Sequence, residues 1–340
     1  MAAITQVVPP SIASGKLRAF DVRRDLAQVA DLVEQCFAST LDPDGQNYLN
    51  QMRAAADNPS YLRWAAAVAE RVSLPLSGYV WEEEGRLVGN LTLIPFLSGR
   101  QRCYLIANVA VHPDYRRRGI ARELTAAAIQ YARNRSAPSV WLHVREENDP
   151  AIRLYESLGF TERARRTTWH SLPSTIPGLQ GRLQAHPEAE RLRRESASLR
   201  VSPRRARHWD LQRLWLGSLY PPELTWHLSI RARVLRPGLL GALQRLFWNQ
   251  PVQQWSAVEG EALRGVLTWQ ASHTYADTLW LATAPQFEEK AAYSLLSYAR
   301  RRLSPRRALA LDYPAHRAEE GIRAAGFSIH QILIWMSMPL

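Results

Sequence analysis

The stretch from Val109 to Leu124 reads VAVHPDYRRRGIAREL: a short apolar strand that stops at His112-Pro113, an arginine-rich turn, and the opening of a helix. Proline ends the strand because it has no N–H for the ladder. Ile120, Leu124, Ala127, Ala128 and Tyr131 then recur at helical spacing, to about residue 134. The first N–H groups of a helix have no intrahelical partner and carry partial positive charge, so a helix entered from such a turn is an anion site. Gly119 lets a phosphate approach the backbone with no side chain in the way, and Arg116, Arg117 and Arg118 add full charge. With the amides leading into Ile120 and Ala121, this turn suits a pyrophosphate. Taken alone, RRRG also describes an ordinary solvated basic turn.

Working outward, LRAF from Leu17 reads as a strand, and Leu26, Val29, Ala30, Leu32 and Val33 mark the helix after it. A second helix is expected over 45–56, a hairpin over 78–97 turning at Glu84-Gly85, and a strand over 103–111. Beyond the central helix come a buried strand at 139–144, a short helix at 149–157 and a strand from 161. This mixture of strands and helices is an α+β (α/β) pattern.

The second half repeats the first. Tyr131-Ala132-Arg133 recurs as Tyr298-Ala299-Arg300 and Gly159-Phe160 as Gly326-Phe327. A period near half the chain length indicates a duplicated domain, with a strand expected near 277–283 and a helix near 288–302. A uniform displacement sets Thr283–Glu288 (TAPQFE) against the arginine turn, Ala315 against Asn148, Ile322 against Tyr155 and Ala310 against His143, so the second copy loses each chemical group.

Arg116, Gly119 and Ala121 fit the pattern R-x-x-G-x-[GA], and NDPAIRLYESLGF (148–160) follows at the appropriate separation. Together these resemble the GNAT superfamily of N-acetyltransferases, over residues 17–170. The resemblance implies two tandem GNAT-like domains, each a mixed, mostly antiparallel central sheet flanked by helices. The expected parts are an acetyl-CoA-binding domain at 15–172, a linker at 173–198 and a degenerate copy at 199–340. It further implies that the central strand splays from its neighbour, with the backbones of Val109 and Val111 pairing with the pantetheine arm of acetyl-CoA. The Val109 amide would donate to the acetyl carbonyl as negative charge develops there. Arg116, Arg117, Arg118, Gly119, Ile120 and Ala121 would hold the pyrophosphate.

Asn148 resembles a cofactor-contacting asparagine and equally suits a cap for the helix that follows. Tyr155 matches a tyrosine that protonates the departing thiolate; a core tyrosine is the alternative. His143 stands where relatives place a base, with a structural or substrate-binding role as the alternative, and Glu146 and Glu147 are nearby candidates. The implied reaction passes acetyl directly from acetyl-CoA to a primary amine of a small molecule or protein. A non-catalytic acetyl-CoA sensor and a mycothiol-synthase-like tandem enzyme are the alternatives. The Fem family is also tandem but does not use coenzyme A, and RRRGIA argues against it.

Composition narrows the classes further. The 340 residues carry 46% apolar and 22% charged residues, a globular profile, and twelve tryptophans. The net charge of +12 comes almost wholly from arginine, since Lys16 and Lys290 are the only lysines. The densest basic block, 161–210, lacks the aromatic interleaving of a stacking platform, so nucleic acid is not the expected partner. No apolar run approaches the ~20 residues of a membrane span and no leader pattern opens the chain, so a cytoplasmic location and no membrane contact are expected. Cys36 and Cys103 suggest neither a disulfide framework nor a metal cluster. The residues do not specify the acceptor or the oligomeric state.

Overall fold

Capping and alternation set the first elements of the computed structural model, which describes residues 15–68, 74–171, 187–226, 228, 235–238, 251–272, 274–303 and 307–340. Strand β1 (Lys16–Ala19) leads to Asp21, whose side chain accepts the Arg23 N–H and caps helix α1 (Val22–Phe37). Arg18 on β1 holds the fully buried Asp25 on α1 at 2.6 and 2.9 Å, fastening strand to helix. Asp42 caps α2 (Pro43–Ala56) by accepting the Gly45 N–H. A further helix, α3 (Pro59–Val68), was not expected; Asn58 accepts the Ser60 and Tyr61 N–H groups at its start, and Pro59 occupies its first position.

The hairpin of β2 (Ser77–Glu83) and β3 (Arg86–Ser98) turns at Glu84 and Gly85, both at positive φ, as a tight two-residue hairpin requires. β4 (Gln101–Val111) continues antiparallel, α4 (Ile120–Asn134) crosses back, and β5 (Ser139–Arg145) lies parallel to β4. The short helix α5 (Asp149–Ser157) follows. The strand order is β1-β2-β3-β4-β5, and the end of the last strand, β12 (Ser328–Pro339), lies next to β5, with the Leu340 N–H donating to Pro138 O at 3.2 Å.

The chain forms two compact units: residues through Arg163 with Trp335–Leu340, and Ala164–Ile334. Whereas the sequence suggested a linear division at 172 and 199, β6 (Thr161–Ser171) leaves the first unit at Arg163 and β12 enters it at Trp335. Of the expected linker, 172–186 lie outside the described residues. Helix α6 (Pro187–Glu195) groups with the second unit, where Leu192 is buried and Arg191 pairs with Glu320.

That second unit continues with β7 (Arg200–Pro203), α7 (Trp209–Leu219), α8 (Pro222–Thr225), β8 (Val252–Glu259), β9 (Ala262–Gln270) and β10 (Ala276–Thr283). After these come α9 (Glu288–Arg302), β11 (Ala308–Pro314) and α10 (Glu319–Ala324). The strand and helix expected near 277–283 and 288–302 are β10 and α9. The order is β6-β11-β10-β9-β8-β7, antiparallel except for β10 with β11.

One glycine in each unit fixes the register of the crossing helix. A Cβ on Gly89 of β3 would lie 2.8 Å from Ile120 and 3.2 Å from Leu124, and one on Gly265 of β9 would lie 3.0 Å from Ala291 and 3.1 Å from Leu295. Both glycines let a helix approach the sheet closely. Ala291 therefore corresponds to Ile120 and Leu295 to Leu124. By this register Glu288-Glu289-Lys290 stand where the first unit has Arg117-Arg118-Gly119, a correction to the uniform displacement that placed TAPQFE there. Among the described residues no helix is long and apolar enough to cross a membrane.

Candidate active site

β4 is interrupted at Asn108. Its pairing with β3 shifts between Asn90 and Thr92, where Asn90 faces Ala110 but Thr92 faces Ala107, so Asn108 and Val109 share the space opposite Leu91. Asn108 takes φ 50, the left-handed conformation that asparagine tolerates better than most residues. The buried side chain of Asn90 donates to the Asn108 carbonyl at 2.9 Å and holds the bulge in place. β4 pairs with β5 at Tyr104–Val140, Leu105–Trp141 and Ile106–Leu142, and the ladder ends there. Val109 and Val111 follow, half-buried, beyond the last paired residue. The Val111 carbonyl already accepts from Arg116 Nε at 3.2 Å and from the Cys36 thiol at 3.3 Å, so an added strand would find the Val111 N–H rather than its oxygen.

After the turn Pro113–Tyr115, Arg117 takes φ 65 and Gly119 φ 83, while Arg118 between them keeps a negative φ. Alternation of this kind turns successive N–H groups into one concavity that binds anions. α4 starts from Gly119 with no side-chain cap, and a Cβ placed there would meet nothing within 4 Å, so the approach is open. The three arginines differ in their tasks. Arg118 is tied to the buried Glu83 at 2.8 and 3.1 Å and lies over the Tyr115 ring, so its charge is balanced by the scaffold. Arg116 reaches Val111, and Arg117 is exposed. Ile120 points its side chain into the core at 2% exposure and offers the site only its backbone, next to that of Ala121.

Asn148 does cap α5: its side chain accepts the Ala151 N–H at 3.3 Å. Tyr155 is buried against Phe160, rings edge to face at 6.0 Å, and burial pushes its phenol up to about 12. His143 is half-buried, its ring 4.1 Å from that of Trp335 in the strand next to β5. Glu147 lies 3.5 Å from Arg145 and is exposed, and Glu146 is half-buried. Among the described residues no group of three or more His, Cys, Asp or Glu is placed to hold a metal ion.

A cavity of about 230 Å³ adjoins the bulge, lined by α1 and α2 and by Asn108 and Arg145. Its polar wall includes Tyr48, whose phenol is raised by burial. Sequence reasoning passed over Asn90, Asn108, Tyr48 and Arg145. One signal was present: an asparagine inside the apolar run VGNLTL is a polar group that must find a partner.

Residues 40–160 match the model of the acetyltransferase (GNAT) family. Among curated proteins, the chain is 36% identical over 126 residues to a mycothiol acetyltransferase of Thermomonospora curvata, covering 36% of this chain and 41% of that one. It is 44% identical over 63 residues to the [ribosomal protein bS18]-alanine N-acetyltransferase of Escherichia coli K12, covering 18% and 43%. The matched stretches thus span about two fifths of these relatives. Among solved structures, a GCN5-related N-acetyltransferase from Sphaerobacter thermophilus superposes with a TM-score of 0.55 at 15% identity, covering 96% of this chain and 95% of that one, which is a likeness of fold. With the arginine and glycine turn and the bulged central strand, the match identifies residues 40–160 as an acetyltransferase (GNAT) family domain, and the second unit is built on the same plan.

Proposed function

We propose that the chain is an N-acetyltransferase that moves acetyl from acetyl-CoA directly to a primary amine, and that the first unit performs the reaction. The observation that carries this reading is the placement of an open anion nest at Arg117–Gly119 directly after a strand that is bulged at Asn108 and has lost its parallel neighbour. The nest has the donors and the clearance that a pyrophosphate needs, and the strand offers unpaired backbone to an extended arm. Acetyl-CoA supplies an activated acetyl thioester.

The chain's residues then divide the work. Amides of Gly119, Ile120 and Ala121 with the Arg117 guanidinium hold the phosphates, while Arg116 and Arg118 brace the loop. The backbones of Val109 and Val111 align the arm, and the Val109 N–H, turned by the bulge, stabilises negative charge on the acetyl oxygen. Tyr155 donates a hydrogen bond to the departing sulfur. With the phenol pushed up to about 12 and an ordinary thiol near ~8.5, complete proton transfer would cost ~5 kcal/mol. The phenol is therefore a donor that stays protonated rather than a strong acid. Asn148 orders the start of α5, and so steadies Tyr155. His143, or Glu146 or Glu147 through water, accepts the proton from the amine.

The test is release of free thiol from acetyl-CoA against a panel of amines and peptide N-termini, with calorimetry of acetyl-CoA binding. Turnover and one site per chain are expected. Tight binding without thiol release for any acceptor would convert the reading to a sensor.

A further inference from the structure

We infer that the cavity beside the bulge is the acceptor pocket and that it takes small amines carrying a carboxylate, with Arg145 as the carboxylate's anchor. The inference deepens the transferase reading and rests on it for the identity of the bound amine as acceptor. Three observations lead there. First, the cavity is lined by Asn108, the residue immediately before Val109, so whatever occupies it lies beside the backbone proposed to bind the acetyl carbonyl. Second, at about 230 Å³ it falls below the ~300–1,000 Å³ of pockets for drug-sized ligands, and Val33, Phe37, Leu41 and Leu49 give it an apolar wall. It suits a compact apolar side chain, not a sugar or a long polyamine.

Third, its charge is of one sign. Arg145 lines the cavity and no aspartate or glutamate does. A bare amine enters water-solvated and protonated, and an ammonium facing Arg145 alone would be repelled; a dication would be repelled twice. An amine that brings its own carboxylate reverses the balance. The guanidinium presents five donors in a planar fork. One nitrogen donates to Thr40 O at 3.2 Å, and the exposed Glu147 lies at 3.5 Å, the outer limit of a hydrogen bond. A ligand carboxylate can take the fork in bidentate fashion, which is stronger than the contact to Glu147. Arg145 also favours the neutral form of the nearby amine, which is the nucleophilic one.

The experiment titrates the full chain with leucine, leucinamide and 1,4-diaminobutane by calorimetry, with and without saturating coenzyme A, in the wild type, Arg145→Met and Arg145→Lys. Leucine should bind at least 10-fold more tightly than leucinamide, with the diamine weakest. Arg145→Met should remove the preference, and Arg145→Lys should keep part of it. Equal binding of leucine and leucinamide, preference for the diamine, no binding of any of the three, or unchanged leucine affinity in Arg145→Met overturns the proposal. Wild-type selectivity is informative even if a variant misfolds, which thermal unfolding would reveal. Selective binding of leucine that persists when coenzyme A fails to bind would support the pocket assignment while overturning the transferase reading.

Discussion

The starts of α4 and α9 are the same place in two copies of one scaffold, and the chain treats them oppositely. Before α4 the backbone winds left-handed at Arg117 and Gly119 and leaves its amides open. Before α9 the turn Pro285–Phe287 runs straight into Glu288, and the helix has an extra turn where the nest would be. Its negative charge is already supplied: the Glu289 carboxylate accepts the Gly321 N–H of α10 at 2.5 Å, and Glu288 pairs with Arg317. The strands differ in the same sense. β9 carries Val266 where β3 carries Asn90, and β10 pairs with β9 without a register shift, so the bulge of the central strand has no counterpart there. β10 and β11 part after Leu279 and Leu311, as β4 and β5 part after Ile106 and Leu142. There, however, Tyr220 fills the opening. Its hydroxyl accepts the Leu281 N–H at 3.4 Å and donates to Asp312 O at 3.0 Å, while Tyr313 and Thr283 bond at 3.0 Å. At the strand opening, groups that stay open in the first unit are thus satisfied internally in the second, and its helix start carries carboxylates in place of the open nest. A scaffold can thus be kept while its site is closed by supplying the missing ligand from the chain itself.

The largest test of this contrast is Gly119→Glu, which imposes a side chain at φ 83 and puts a carboxylate at a helix start, as in the second unit. Acetyl-CoA binding should be lost altogether, from a wild-type stoichiometry of one per chain. A wild-type stoichiometry near two, or calorimetric binding that survives the substitution, would move the site elsewhere. Asn90→Val gives β3 the residue of β9 and frees the Asn108 carbonyl. Because loss of one oxyanion donor costs ~10²–10³-fold in kcat, kcat should fall on the order of 100-fold, with ~1–3 kcal/mol of stability lost for the unpaired carbonyl. Steady-state kinetics beside denaturant titration separates the two effects, and full kcat in a folded variant would show that the bulge is dispensable.

Tyr155→Phe, the counterpart of Ile322, should lower kcat by roughly 10-fold and leave acetyl-CoA affinity nearly unchanged, since the donor acts mainly in the transition state. Unaltered turnover would make the phenol structural. The smallest effect belongs to Glu289→Gln. Burial, the larger influence, and neighbouring glutamates raise the Glu289 carboxyl above its ordinary 4.5. Such a group adds stability below its unfolded value and loses it as pH rises through the folded value. Glutamine should therefore raise Tm at pH 7 by roughly a degree or two, and the gain should vanish by pH 4. A gain that is the same at both pH values, measured by calorimetric melting, would show that Glu289 is not under this strain.

Most of the frame was legible because it rests on local signals. The arginine and glycine turn, the helical spacing after Ile120 and the turn at Glu84-Gly85 each specify their backbone within a few residues. Helix α3 escaped because Pro59 reads as a breaker unless Asn58 is recognised as its cap. The bulge escaped because it needs two asparagines far apart in sequence, Asn90 and Asn108, to meet across strands. The register of the copies misled for a related reason: the repeated Gly159-Phe160 and Gly326-Phe327 mark a shared helix end, with Phe160 N–H on Tyr155 O and Phe327 N–H on Ile322 O. The loop before α9 differs in length, so a single displacement does not carry through it. By the strand pairing His143 corresponds to Asp312 rather than Ala310.

Residues Trp335–Leu340 count with the first unit, although Ala164–Ile334 intervene in the chain. During synthesis the first unit must therefore wait, without the strand next to β5 and without Trp335 against His143, until the whole of the second has been made. Closing so long a loop is entropically costly and slow. Until then β5 presents an open edge to other chains, the condition in which strands pair wrongly. Translation speed and chaperone access over the second half of the message thus bear on whether the first sheet is completed, and a stalled or shortened product would carry the whole nest at Arg117–Gly119 on an unfinished sheet.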